Sequence, residues 1–162
     1  ESTQHAHLVV LGDYNIAPED RDVHDPKAWE GSVHVSTPER AALRALLDTG
    51  LVDCFRQFDQ PEKSYSWWDY RMMAFRRNAG LRIDLILANT PLAEKCGGCH
   101  IDKAPRKLER PSDHAPVLAE IAATNAELDA AGITLDTDPR RSTKTGQEKT
   151  ATSDPSQDPN SP

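Results

Sequence analysis

The 162-residue sequence lacks two features that would place it outside the cytoplasm. It has no apolar run long enough to cross a bilayer and no signal-peptide pattern. It also lacks the even set of cysteines that a disulfide framework needs, because it contains only three. We therefore expect a cytoplasmic protein with no membrane partner.

The C-terminal part of the chain lacks large apolar residues. Between positions 136 and 162 there is no Val, Ile, Leu, Met, Phe, Trp or Tyr. Such a segment has little apolar surface to offset the entropy lost on ordering. We expect residues 1–122 to form the folded domain and residues 123–162 to form a tail, with a short helix around "NAELDAAG" and disorder after it.

Within residues 1–122, the pattern predicts strands alternating with one clear helix. "HLVVLGD" and "VLAEI" are short apolar runs typical of strands, and "LRIDLILAN" alternates between apolar and polar positions until Pro91. The helix begins at Ser36 or Thr37, carries Glu39 in its first turn and ends before Gly50. This order favours an α/β fold.

Polar side chains stand at strand ends or within strands in three places. They are Asp13 with Asn15, Asp84, and Asp113 with His114. Asp or Asn beside a turn is common for purely structural reasons. Asp84 is harder to explain, since a buried carboxylate needs a donor or a cation, and either His114 or Arg82 could supply one.

Together these side chains could cleave a phosphodiester. Oxygen ligands such as those of Asp13, Asn15 and Asp113 suit Mg²⁺, with Mn²⁺ as an alternative. A carboxylate beside the metal can take a proton from the attacking water, and His114 can stabilise charge on the phosphoryl oxygens. Pairing with Asp84 would keep the imidazole ring oriented.

A segment that is both aromatic and basic lies in the middle of the chain. "SWWDYRMMAFRRN" places Arg71, Arg76 and Arg77 beside Trp67 and Tyr70 in an overall acidic protein of net charge −7. Arginines can meet phosphates, and aromatic rings can stack on an opened nucleotide. The same residues would be unremarkable as a solvated loop and part of a core.

Three ordered motifs make a family resemblance specific. "GDYNIAPEDRDVHDP", "YSWWDYRMMAFRRNAGLRIDLILAN" and "ERPSDHAPV" together resemble the second half of exonuclease III and the AP endonucleases, members of the endonuclease/exonuclease/phosphatase superfamily. The resemblance implies a four-layered α/β sandwich of two facing sheets flanked by helices. It also implies a Mg²⁺-dependent DNA-repair enzyme that cuts beside abasic sites and degrades duplex DNA from 3′ to 5′, monomeric at full length.

The resemblance also implies roles for individual residues. Asp13 would activate water, Asn15 would support the transition state, and Asp84 would orient His114 against the scissile phosphate. Asp113 and His114 would join Asp13 and Asn15 at the metal. The residues expected to contact DNA are Trp67, Arg71, Arg76, Arg77, Leu81 and His114, with Trp67 and Leu81 at the pocket for the abasic sugar.

The sequence departs from the family in length, because the motifs of the family's first half have no counterpart. We expect the chain to correspond to a truncated, C-terminal half whose inner sheet face is left uncovered. That predicts poor folding, oligomerisation or aggregation, and almost no activity for the chain alone.

Alternative interpretations remain open for several motifs. "CGGCH" at 96–100 has the form of a haem attachment site, or of zinc ligands together with Cys54, and "DYNIAPED" is only loosely similar to a calcium loop. A phosphoinositide or sphingolipid phosphodiesterase would share "GDYN" and "SDH". A noncatalytic DNA-binding fragment is the alternative of a different class.

Overall fold

The computed structural model describes residues 6–122 and residue 126, and these contain two antiparallel sheets. The first sheet has the strand order β1–β3–β2, and the second pairs β4 with β5. The strands are β1 (Val9–Asp13), β2 (Leu51–Asp53), β3 (Asp84–Asn89), β4 (Cys96–Ile101) and β5 (Val117–Ile121). This architecture of sheets with few helices is consistent with part of an α/β fold. Apart from residue 126, the predicted tail lies outside the described residues.

The longest helix forms where the sequence predicts it. The described residues contain α1 (Pro26–Trp29), α2 (Thr37–Leu47) and α3 (Thr90–Ala93). At the start of α2 the Glu39 carboxylate accepts hydrogen bonds from the Ser36 amide at 3.1 Å and the Ser36 hydroxyl at 2.5 Å. After α2 the chain turns at Gly50, whose φ of +98° is disfavoured for other residues. The two ends of α2 are thus set by local chemistry.

The central strand β3 is covered on both faces. Leu85 and Leu87 pack in a cluster with Leu43 of α2, whereas Ile86 and Ala88 pack in a cluster with Phe55. A strand that is buried on both faces typically has a continuous run of apolar residues in its sequence, and "LILA" is such a run. The alternating pattern over residues 81–89 becomes a regular strand only from Asp84 onward.

Strand β1 forms an edge of the first sheet in the described part of the chain, and all five of its residues are exposed. Its apolar residues Val9, Val10 and Leu11 are 40 %, 39 % and 63 % exposed. An exposed edge strand of this kind can pair with another chain, whereas the expected uncovered inner face of the sheet stays a prediction. Among the described residues, no helix is long and apolar enough to cross a membrane.

A buried ion-pair network joins the loop after β1 to the end of β2. The Arg82 guanidinium, 1 % exposed, donates from Nε to Asp22 at 2.6 Å and from Nη2 to Asp53 at 2.8 Å. Arg56 also pairs with Asp22. The Arg82 guanidinium therefore forms its ion pairs within the core, and it is not the partner of Asp84.

The "CGGCH" segment is part of strand β4. Cys54 and Cys99 are buried free thiols, and burial raises the pKa of Cys54 to about 11 and that of Cys99 to about 12. Such thiols hold their protons, whereas zinc is bound by thiolates. Throughout the described residues, no cysteine belongs to a cluster at metal-ligand distances, so neither the haem nor the zinc interpretation is supported.

Candidate active site

Two carboxylates lie side by side across the first sheet. Asp13 ends β1 and Asp84 begins β3, and the antiparallel register makes them direct partners. Gly12 precedes Asp13 with a φ of +146°. The side chains of Asp13 and Asp84 are 35 % and 19 % exposed, so both remain accessible at the end of the sheet. Unpaired like charges in neighbouring cross-strand positions destabilise a sheet, which makes a cationic partner favourable here.

His114 contacts both carboxylates from the loop before β5. Its Nδ1 lies 2.9 Å and 3.2 Å from the two carboxylate oxygens of Asp84, and its Nε2 lies 3.8 Å from Asp13 Oδ2. Its backbone N–H donates to Ser112 Oγ at 3.1 Å. The Asp84 carboxylate therefore fixes the ring orientation and directs Nε2 towards Asp13 and the solvent.

Asn15 lies next to Asp13 in a left-handed backbone conformation, with φ +55°. Asparagine tolerates this conformation better than most residues. The Asn15 N–H donates to Asp13 Oδ1 at 2.8 Å, and His34 Nδ1 lies 2.7 Å from the Asn15 carbonyl oxygen. These contacts hold both the Asp13 carboxylate and the exposed Asn15 side chain at the mouth of the site.

Asp113 is adjacent to His114 in sequence, but its carboxylate is engaged elsewhere. Its Oδ2 accepts a hydrogen bond from Trp67 Nε1 at 3.0 Å, and its backbone carbonyl accepts from Trp68 N–H at 3.0 Å. Asp113 therefore fixes the indole ring of Trp67 beside the site. Its carboxylate is outside the group of possible ligand atoms found among the described residues, and its expected role at the metal stays a prediction.

The donor atoms that do converge belong to Asp13, Asp84 and His114, one from each, all within 4.8 Å of one another. Two carboxylates and an imidazole fit a divalent cation, and the accessible Asp13 oxygens fit a hard cation such as Mg²⁺. Asp84 is shared with His114, so Asp13 is the principal protein ligand that the geometry offers. The site can thus combine a cation, a carboxylate base and an oriented imidazole.

Comparisons with known proteins identify the family of the chain. Residues 2–114 match the model of the endonuclease/exonuclease/phosphatase family. The chain belongs to this family. Exodeoxyribonuclease III of Haemophilus influenzae is 41 % identical over 120 residues, which are 70 % of this chain and 45 % of the relative.

Solved structures of family members show the same similarity. A Neisseria 3′ phosphatase bound to a product DNA hairpin matches with a TM-score of 0.72 and 46 % identity, over 75 % of this chain and 47 % of that one. An AP endonuclease from Archaeoglobus fulgidus matches with a TM-score of 0.67 and 41 % identity, over 72 % and 46 %. The chain therefore spans about half the length of these relatives.

The expected DNA-contacting residues of this family member divide into exposed and buried groups. Arg71, Arg76 and Arg77 are exposed on the loop that follows Trp67. Leu81, by contrast, is completely buried in a cluster with Val23 and Ile83, so this position does not favour the expected contact with DNA, which stays a prediction. The apolar core between the loop after β1 and the start of β3 needs this side chain. Trp67 is half-buried and faces the site.

Three features of the site were not predicted from the sequence. Met72 and Met73 are 77 % and 63 % exposed at the tip of the arginine loop, and both have a positive φ. Met72 and Met73 stand between arginines in the sequence, and this pattern could have indicated an exposed contact surface. The centroid of the His34 ring lies 6.1 Å from that of the Trp67 ring. The Ser66 hydroxyl accepts a hydrogen bond from the Asp84 amide at 3.1 Å. Both contacts join residues that are distant in sequence, so no local pattern reveals them.

Proposed function

We propose that this chain carries the catalytic half-site of a Mg²⁺-dependent nuclease that hydrolyses phosphodiester bonds in duplex DNA. The observation that supports this most is the convergence of Asp13, Asp84 and His114, with Asn15 at the mouth of the site. Mn²⁺ is the alternative cation, because it accepts the same oxygen ligands.

Each residue has a chemical task in this proposal. A bound Mg²⁺ would supply Lewis-acid stabilisation of the phosphoryl oxygens. Asp13 accepts the proton of the attacking water, and His114 binds a non-bridging phosphate oxygen through Nε2 while Asp84 holds Nδ1. The Asn15 amide donates to the charge that develops on the phosphoryl group.

We propose duplex DNA with abasic sites or free 3′ ends as the substrate. The exposed loop from Tyr70 to Arg77 places arginines and methionines beside the half-buried Trp67. Arginines bind backbone phosphates, and exposed apolar side chains wedge between base steps. The relatives named for exodeoxyribonuclease, AP endonuclease and DNA 3′ phosphatase activity support this substrate class.

The chain alone is expected to be nearly inactive, since it spans only 45–47 % of the relatives and β1 is uncovered. The function is therefore tested in a chimera in which residues 7–121 replace the matched segment of the Haemophilus influenzae relative. Substrates are duplexes with an abasic site, a 3′ hydroxyl end or a 3′ phosphate end, with sphingomyelin and a phosphoinositide as comparison substrates.

The proposal predicts Mg²⁺-dependent DNA cleavage that EDTA stops and Asp13→Ala abolishes. Duplex binding without cleavage, in a chimera with native circular dichroism, would instead support the noncatalytic DNA-binding alternative. Hydrolysis of the lipid substrates in preference to DNA would favour the lipid phosphodiesterase alternative within the same superfamily.

A further inference from the structure

Arg106, in the segment between β4 and β5, is a buried cation without an acidic partner. It is only 6 % exposed, and it forms no ion pair with a carboxylate in the part of the chain that the structure describes. Burying an arginine costs more free energy than burying an apolar side chain unless other groups compensate the charge. The compensation for Arg106 therefore has to come from neutral groups.

Three aromatic rings surround the Arg106 guanidinium. Its central carbon lies 4.8 Å from the ring centroid of Phe75, 5.7 Å from that of Tyr70 and 5.8 Å from that of Trp68. A planar guanidinium is attracted to the faces of aromatic rings at such distances. Tyr70 and Phe75 belong to the arginine loop, the exposed loop from Tyr70 to Arg77. Arg106 therefore contacts this loop at two positions.

The same guanidinium also contacts the turn that carries His114. Arg106 Nη1 donates a hydrogen bond to the Ser112 carbonyl oxygen, and the Ser112 hydroxyl accepts from the His114 N–H at 3.1 Å. The Tyr70 hydroxyl donates to the Pro111 carbonyl at 3.0 Å, which adds a second contact between loop and turn. One buried side chain thus connects the arginine loop with the turn that positions the imidazole.

The backbone of the arginine loop needs such external contacts. Met72 and Met73 have φ angles of +57° and +51°, in the left-handed region that non-glycine residues rarely adopt. Residues in this region cost free energy and persist only where the surrounding structure fixes them. Tyr70 and Phe75 stand on either side of the two methionines, and Arg106 contacts both rings.

We propose that Arg106 is a positioning residue that fixes the arginine loop relative to His114. Arg106 is buried, so it acts through the loop and the turn and does not touch DNA itself. A displacement of about 1 Å can slow an enzymatic step by about 100-fold, so the relative position of loop and imidazole matters. This inference deepens the proposed nuclease function and rests on it for the effect on DNA cleavage.

The anchoring of the loop is tested by native-state trypsin digestion of the 162-residue chain and of the chimera, with cut sites mapped by mass spectrometry. Arg106→Met keeps an unbranched side chain but removes the charge and the hydrogen bond to Ser112. We expect cutting after Arg76 and Arg77 to accelerate about tenfold in Arg106→Met. Cutting after Lys27, an exposed position of α1, should be unchanged.

The effect on DNA cleavage is measured in the chimera on an abasic duplex. Arg106→Met should lower kcat about tenfold and change KM by less than about twofold, because the exposed arginines still attract the phosphates. Arg106→Lys keeps the charge, but one ammonium cannot contact three rings and a carbonyl together, so it should recover only part of kcat. Arg44→Met, which removes an exposed arginine of α2, is the matched control and should retain the parental kcat.

Three results would overturn the proposal. They are equal acceleration of cutting after Lys27 and after Arg76 in Arg106→Met, which indicates a general loss of stability, parental digestion rates at both sites, and a parental kcat in Arg106→Met. A parent chimera that cleaves no DNA would instead contradict the proposed nuclease function. Faster cutting in the arginine loop alone would in that case still support the anchoring role of Arg106.

Discussion

The imidazole of His114 is held by Asp84, with Nδ1 2.9 Å from the carboxylate, while Nε2 of the same ring points towards Asp13 at 3.8 Å. This relationship joins the two sheets, because Asp84 begins β3 and His114 precedes β5. It also orders the candidate site, since the ring orientation decides which nitrogen a phosphate can meet.

Replacing Asp84 by Asn should reduce DNA cleavage by the full-domain chimera by a factor of about 10² or more. The asparagine amide keeps the shape of the side chain, but it lacks the negative charge with which the Asp84 carboxylate orients the His114 imidazole. We expect the loss in kcat with a smaller change in KM, measured by steady-state cleavage of an abasic duplex. Asp48→Asn, at the exposed end of α2, is the matched control and should retain parental activity. A comparable loss in both variants would contradict the role of Asp84.

The exposed arginine loop predicts a change in the salt dependence of DNA binding. Arg76 is exposed and its side chain makes no hydrogen bond or ion pair with a described residue, so Arg76→Gln should remove a phosphate contact without disturbing the loop. The slope of log K against log salt should fall by about 1. Binding to a duplex is measured by fluorescence anisotropy over a range of salt concentrations. Lys27→Gln, at an exposed position of α1, should leave the slope unchanged.

The uncovered edge of β1 predicts self-association of the isolated chain. Leu11 is 63 % exposed on an edge strand, so Leu11→Lys adds a charge without removing a core contact. Charges on an edge oppose pairing between strands of different molecules. Sedimentation velocity should show a smaller associated fraction for Leu11→Lys than for the parent. A parent chain that is a stable, cooperatively unfolding monomer would contradict this prediction.

The start of α2 predicts a pH-dependent contribution to stability. The hydrogen bond from the Ser36 hydroxyl lowers the pKa of Glu39, so the ionised carboxylate stabilises the folded state. Glutamine keeps a hydrogen-bond acceptor at this capping position and loses only the largely solvent-screened charge, so Glu39→Gln should cost about 0.5 kcal/mol at pH 7. Because the folded pKa is the lower one, this contribution is complete above the unfolded value of about 4.3 and disappears as the pH falls through the folded pKa.

Urea denaturation of the parent and Glu39→Gln at pH 7, 5 and 3 measures this difference. The two midpoints should converge towards pH 3. Glu62→Gln, at an exposed loop position, is the control and should match the parent at each pH. A difference between parent and Glu39→Gln that grows on acidification would contradict the assigned hydrogen bonds.

Local sequence signals predicted the parts of the structure that depend on neighbouring residues. Ser36, Glu39 and Gly50 define α2 because capping and a positive φ are properties of a few adjacent positions. Asp13 at the end of β1 and His114 before β5 were likewise found where an apolar run ends or begins. The family resemblance then brought these separate motifs into one site.

Properties that depend on distances across the fold could not be predicted. The choice between Arg82 and His114 as the partner of Asp84 depended on the distant Asp22 and Asp53, which occupy Arg82. The complete burial of Leu81 likewise depends on packing between separate segments.

The central claim is that Asp13 acts directly in hydrolysis of DNA phosphodiesters, and a single-turnover assay tests it. The chimera carrying residues 7–121 and its Asp13→Asn variant are compared on an abasic duplex in Mg²⁺, after matching circular dichroism and duplex affinity. We predict that Asp13→Asn slows cleavage by at least about 100-fold while DNA binding persists. Cleavage by Asp13→Asn at the parental rate would contradict the account.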